Sequence, residues 1–314
     1  MRLLFFLLIF PLLYNSPPKN WGFFAHSLIN RMAVFSLPPE LIQFYKPHIQ
    51  FISEKAVNPD RRRYAVEGEA EKHYIDLDRF GDEPLKKIPV FWSEAVEKFT
   101  EDTLRAHGIG PWAAYFTFIQ LTQAFENKDP NGILRLSADL GHYLADLNVP
   151  LHTTQNYNGQ LSGQEGIHGF WESRIPELMS SDYALWVGKA EYISQPQQAI
   201  WEAIAQAHAQ VDSVLTFEKT LTESFDPDRK YGFEERNSLT VRVYSKEFTK
   251  TYALALDHQV ERQMKKAIKM IADFWYTAWI NAGQPDLRKL EGNESDEINF
   301  LPNPKVKARK HDFE

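Results

Sequence analysis

The sequence predicts an all-α fold built as one large helical domain, and three observations carry that expectation. Beyond Trp21 apolar residues return every three or four positions, the spacing that lines one face of a helix. Long runs of polar–apolar alternation bounded by turn residues are missing; Tyr74-Ile75-Asp76-Leu77-Asp78 comes nearest and is very short. Prolines at Pro38-Pro39, Pro59, Pro111, Pro130, Pro150 and Pro196 divide the helical pattern into segments.

In chain order, Met1 and Arg2 precede Leu3–Leu13, eleven residues without a polar side chain. A bilayer span needs about 20 such residues. One positive charge and a short apolar run instead fit an export signal over 1–20, although Tyr14 to Asn20 carries no A-x-A-like cleavage pair. Ile133, Leu136, Leu140, Leu144 and Leu147 define one amphipathic helix; Val260, Met264, Ile268, Ile271, Trp275 and Ala278 define another. The longest irregular stretches fall over 56–84 and 148–167. No repeat or linker divides 21–283, the helical domain. From Gln284 the chain turns polar, acidic from Glu291 to Glu297 and basic from Lys305 to Lys310, as expected of a loosely docked tail over 284–314.

Composition narrows the function. With 314 residues and 43% apolar content a core is assured, and a charged fraction of 25% argues against wholesale disorder. The absence of cysteine excludes disulfide scaffolds, thiolate zinc sites and thiol nucleophiles. The balance of 35 basic against 42 acidic residues, a net charge of −7, argues against a broad basic grip on nucleic acid. Phosphate-directed chemistry would need positive charge from a source other than lysine and arginine.

Five of the ten histidines, His26, His73, His142, His152 and His168, lie in segments that also offer carboxylates. His142 and Asp146 are i, i+4 on one helix, so their side chains share a face, and His168 and Glu172 repeat the arrangement. Taken alone, His142 and Asp146 could continue a solvated stripe with Arg135 and Asp139. The compound pattern H-x3-D-x5-H-x15-H-x3-E is more specific and suits zinc, which takes nitrogen and carboxylate oxygen in small numbers. His48, His107, His208, His258 and His311 lack such context and receive no role. Glu67, Glu69 and Glu71 read as solubility charges, and Asp139 at best as a partner that orients a ligand histidine. Nucleophile-elbow, P-loop, dinucleotide-fingerprint and H-E-x-x-H motifs are absent.

Trp21-Gly22-Phe23-Phe24-Ala25-His26, Asn58-Pro59-Asp60, His73-Tyr74-Ile75-Asp76, Gly141-His142 through Leu151-His152, and Gly166-Ile167-His168-Gly169-Phe170-Trp171-Glu172 follow in one order. Together they resemble the trinuclear-zinc phosphoesterases, which include bacterial zinc-dependent phospholipases C and fungal-type single-strand nucleases. The resemblance covers about half of the chain and implies the all-helical fold of those enzymes. It implies that Asp60, His73, His142 and Asp146 hold a first zinc ion and that His152, His168 and Glu172 hold a second. A third would be held by His26, by Asp146 in a bridging role, and by the backbone amine and carbonyl of Trp21. That last ligand requires removal of the leader directly before Trp21.

The resemblance further implies hydrolysis of a phosphodiester by metal-activated water, with Asp60 as the catalytic group that orients or deprotonates it. Glu172, the compact stretch from His152 to His168 and the D-x-N-x-P-x-H run resemble the phospholipase branch more closely, because the nuclease branch usually carries aspartate where Glu172 stands. A phospholipid head group is therefore expected ahead of single-stranded nucleic acid, with transient contact at a membrane surface and export from the cytoplasm. A single-strand nuclease and a non-catalytic exported zinc-binding protein are the alternatives. No protein partner is readable.

Overall fold

A computed structural model describes residues 22–236, 239–290, 292, 303 and 306. The expected export signal over 1–20 and Trp21 lie outside the described residues, as does most of the stretch beyond Leu290. The principal helices are α1 (Gly22–Val34), α2 (Ile49–Lys55), α3 (Asn58–Arg62), α4 (Gly110–Glu126), α5 (Pro130–Asp146), α6 (Pro196–His208), α7 (Val211–Ser224), α8 (Lys246–Ala255) and α9 (Gln259–Asn281). Pro111, Pro130 and Pro196 sit at the first or second position of α4, α5 and α6, where a missing N–H costs nothing. These prolines start helices rather than end them.

Helix α5 is the centre of the molecule. It packs along α4, and α1, α2 and α9 close around it. Its leucine stripe is buried, and Tyr45 stacks on Trp275 with centroids 5.1 Å apart while Trp275 Nε1 donates to the Ser137 carbonyl at 3.1 Å. One apolar core runs from Ile29 to Leu287, so buried packing extends past Gln284. Pro150, which disfavours helical backbone at the residue before it, follows the end of α5 and begins a 3₁₀ turn, Pro150–Thr153.

The structure adds a feature that the pattern reading lacked. Two strands, β1 (Tyr231–Arg236) and β2 (Leu239–Tyr244), form an antiparallel hairpin with Tyr231 opposite Tyr244. Each strand is only six residues long and none of its side chains is fully buried, so the alternation is too short and too polar to stand out. Of Tyr74–Asp78, the nearest strand-like run in the sequence, residues 74–76 are irregular and Leu77 and Asp78 open the 3₁₀ turn Leu77–Phe80. Among the described residues no helix is long and apolar enough to cross a membrane.

Candidate metal centre

Seven segments bring the polar side chains together. Helix α1 contributes His26, α3 contributes Asp60, the 3₁₀ turn Ala70–His73 contributes His73, and α5 contributes His142 and Asp146. The turn after α5 carries His152, and the helical turns Ile167–Gly169 and Phe170–Arg174 carry His168 and Glu172. The second of these turns is π-helical, a local widening that recurs at functional sites. Gly141 makes the approach of α1 possible: a Cβ there would come within 2.0 Å of Asn30 Oδ1. With that contact open, the His26 and His142 rings stack at 4.1 Å.

Asp146 lies at the middle. Its Oδ2 is 2.8 Å from His73 Nδ1 and 3.2 Å from His142 Nε2; its Oδ1 is 3.2 Å from His26 Nε2 and 3.9 Å from His152 Nε2. Asp60 Oδ1 stands 3.7 Å from both His73 Nδ1 and His142 Nε2. Glu172 meets His168 Nε2 at 2.7 Å, His152 Nε2 at 3.4 Å and His26 Nε2 at 3.1 Å. Three groups of potential ligand atoms result: His26, His142 and Asp146; Asp60, His73 and His142; and His152, His168 and Glu172. Trp21 lies outside the described residues.

Backbone carbonyls set the histidine tautomers. His142 Nδ1 donates to the Ala56 carbonyl at 2.8 Å, His152 Nδ1 to that of His73 at 2.6 Å, and His168 Nδ1 to that of Tyr157 at 3.0 Å. A carbonyl can only accept, so in each neutral ring Nε2 carries the lone pair. Those lone pairs face carboxylate oxygens, which also only accept. Such contacts need a positive charge between the partners, either a proton on each ring or a shared cation. The donors are imidazole nitrogen and carboxylate oxygen, with the outer imidazole N–H groups pinned, the arrangement that suits zinc.

The electrostatics follow from the same crowding. Burial pushes Asp146 and Glu172 upward, but neighbouring histidines outweigh it and hold both carboxyls well below their ordinary values. Burial lowers His26 and His152, yet Asp146 and Glu172 raise both. For His73 burial dominates and the shift is downward. Asp60 is lowered against its burial by His142 and Arg63. It is also the most exposed of these side chains, at 17%, which puts it at the mouth of the centre.

Other charges differ from the sequence reading. Glu69 is buried, not a solubility charge: it accepts from Arg62 at 3.0 Å, from Lys72 at 2.8 Å and from the Tyr143 hydroxyl. Asp139 pairs with Arg62 at 3.1 Å. Histidine spacing gave no hint of Arg63, which is buried with Nη1 3.0 Å from Asp60 Oδ1. Its signal in the sequence is the i, i+3 spacing from Asp60.

No protein-family model matches the sequence, and no curated protein matches it. Among solved structures, the alpha toxin from Clostridium absonum aligns with a TM-score of 0.47 at 12% identity, over 85% of this chain and 67% of that one. The alpha-toxin of an avian strain of Clostridium perfringens aligns with a TM-score of 0.49 at 10% identity, over 86% of this chain and 67% of that one.

Proposed function

We propose that this chain is a zinc-dependent hydrolase of phosphodiester bonds, phospholipase C-like, acting by metal-activated attack of water on phosphorus. The observation that supports it most directly is the set of imidazole lone pairs aimed at the buried carboxylates Asp146 and Glu172. In this reading Asp60, His73, His142 and Asp146 hold one ion, and His152, His168 and Glu172 hold another. His26 and Asp146 hold a third with the backbone of Trp21. Bound zinc would supply Lewis acidity that brings the pKa of a water to about 7 and offsets phosphate charge.

Asp60 orients the attacking water or accepts its proton. Arg63 keeps that carboxylate ionised, and the five N–H donors of a guanidinium let it serve Asp60 and a phosphate oxygen together. A narrow cleft beside the centre is lined by Arg63, Ala70, His73, Tyr74, Tyr157 and His168. One observation favours single-stranded nucleic acid as a second reading. Exposed Arg61 lies over the Phe23 ring at 5.4 Å, next to Asp60 in sequence, and adds a cation suited to a further phosphate.

The test uses zinc-loaded protein beginning at Trp21, incubated with phosphatidylcholine vesicles, single-stranded DNA or RNA, with and without chelator. Chelator-sensitive release of diacylglycerol supports the phospholipase reading, whereas nucleotides transfer it to the nuclease. Zinc binding with neither product overturns catalysis and leaves an exported zinc-binding protein.

A further inference from the structure

The loop between His152 and His168 is tied to a part of the chain beyond the motif-bearing half. Within the loop, the Tyr157 carbonyl accepts from His168 Nδ1, and Asn158 Oδ1 accepts from the backbone N–H groups of Gly166 at 3.2 Å and His168 at 3.4 Å. Gln164 stands between these points, and its carbonyl accepts from the Ile167 N–H at 3.1 Å. Its side-chain amide reaches α7, donating to Glu218 Oε2 at 2.6 Å and to the Leu215 carbonyl at 2.8 Å. Glu218 is 1% exposed. Its other oxygen accepts from Lys230 Nζ and Thr222 Oγ1, both at 2.8 Å. Lys230 in turn lies over the Tyr231, Tyr244 and Phe248 rings at the hairpin base, 5.1–5.6 Å from their centroids.

A buried carboxylate is costly unless it is paired and hydrogen-bonded. This one is fully engaged, and one of its partners belongs to the loop that aims a candidate ligand. The same layer grips the far end of the ligand-bearing segment, where Arg174 donates to Glu234 at 3.0 and 2.6 Å and to the Tyr244 carbonyl at 3.1 Å.

We infer that Glu218 is a positioning residue for His168: through Gln164 it fixes the loop whose Tyr157 carbonyl sets the tautomer and direction of that imidazole. The inference rests on the metal-centre reading and extends it to α7 and the hairpin base. Partners that orient a ligand histidine typically change metal affinity by about 10–100-fold when removed.

The experiment removes the donor at position 164 and then restores a donor there. Gln164→Leu leaves the Glu218–Lys230 pair intact. Gln164→Lys keeps an N–H donor for both the Glu218 carboxylate and the Leu215 carbonyl. Zinc stoichiometry and stepwise affinity are measured by chelator competition, alongside unfolding of the metal-free proteins. Q164L should weaken one ion by about 10–100-fold, spare the others and leave metal-free unfolding within a few degrees, whereas Q164K should retain most of the affinity. Unchanged affinity for every ion overturns the inference, as does parallel loss of all ions with a lowered unfolding temperature, or a loss in Q164K equal to that in Q164L. Wild-type protein that binds no zinc would remove the metal-centre reading and this inference together. Normal wild-type binding with an unaffected Q164L removes the inference alone.

Discussion

His26 Nε2 stands 3.1 Å from Glu172 Oε1 across 146 positions of sequence, and Asp146 Oδ1 lies 3.2 Å from the same nitrogen. One imidazole thus joins the carboxylate at the end of α5 to the carboxylate on the π-helical turn. Opposite charges placed this closely in a buried site belong to one electrostatic unit. His26→Ala should therefore lower bound zinc by one ion per chain, leaving the ions held through His142 and His168. Asp146→Ala, which removes a carboxylate shared by the sites built on His142 and His26, should leave at most the ion held by His152, His168 and Glu172. Elemental analysis of purified variants decides it; full zinc content in Asp146→Ala would contradict the centre as described.

Arg63 is the test of how the mouth works. Its guanidinium is buried beside Asp60, which holds it ionised against the cost of burial. If Arg63 also addresses the phosphate, Arg63→Met should lower kcat by about 10²–10³, the usual loss for one donor to a developing oxyanion, with zinc content preserved. Arg63→Lys keeps the charge without the planar fork and should recover only part of the rate. Loss of zinc from Arg63→Met, with normal rates once zinc is restored, would reduce Arg63 to a support for Asp60.

Helix α5 and five of the clustered side chains, His142, Asp146, His152, His168 and Glu172, were legible from short-range spacing, whereas His26, Asp60 and His73 entered as candidates only through the resemblance. Leucines at three and four define the buried face, and i, i+4 pairs place His142 beside Asp146 and His168 beside Glu172. The contact of His26 with Glu172 was not legible, since it depends on how α1 lies against α5 and on the absence of a Cβ at Gly141. Glu69 looks like a surface charge in the sequence because Glu67 and Glu71 flank it. Its burial comes from α3 and the turn that follows it folding onto α5, where half-buried Arg62 joins Glu69 to Asp139 and Tyr143. The hairpin escaped notice for a related reason: its order depends on Tyr244 stacking on Phe170 at 3.9 Å, a contact between distant segments.

Glu69 should give the protein part of its acid sensitivity. Burial raises its carboxyl, but Arg62, His73 and Lys72 outweigh burial and bring it from 4.5 to about 2. A depressed folded pKa contributes stability above the unfolded value, and that contribution fades as pH falls toward 2. At 1.36 kcal/mol per unit the full contribution is at most about 3 kcal/mol. Glu69→Gln should be less stable than wild type near neutrality and should lose less stability on acidification below about pH 4.5. Urea unfolding at several pH values checks this; identical pH slopes for the two proteins would show that Glu69 has no such part.

Removing zinc should reverse the pH dependence of stability above neutrality. In the metal-free protein His26 and His152 are raised above 6.5 by Asp146 and Glu172, although burial opposes this. Their protonated forms replace the missing cations, so their contribution is complete below 6.5 and is lost as pH rises through the raised folded values. Zinc requires neutral imidazoles, so loading strengthens with rising pH. The metal-free protein should therefore unfold at a lower temperature at about pH 8.5 than at about pH 6, while the zinc-loaded protein holds its unfolding temperature or gains. With free zinc at about 1,000 times the dissociation constant, the loaded form gains about 4 kcal/mol over the metal-free form. Calorimetry of both forms across that range is the measurement. A metal-free protein that becomes more stable toward high pH would mean that the imidazole–carboxylate contacts are not ion pairs, and the charge balance of the centre would have to be redrawn.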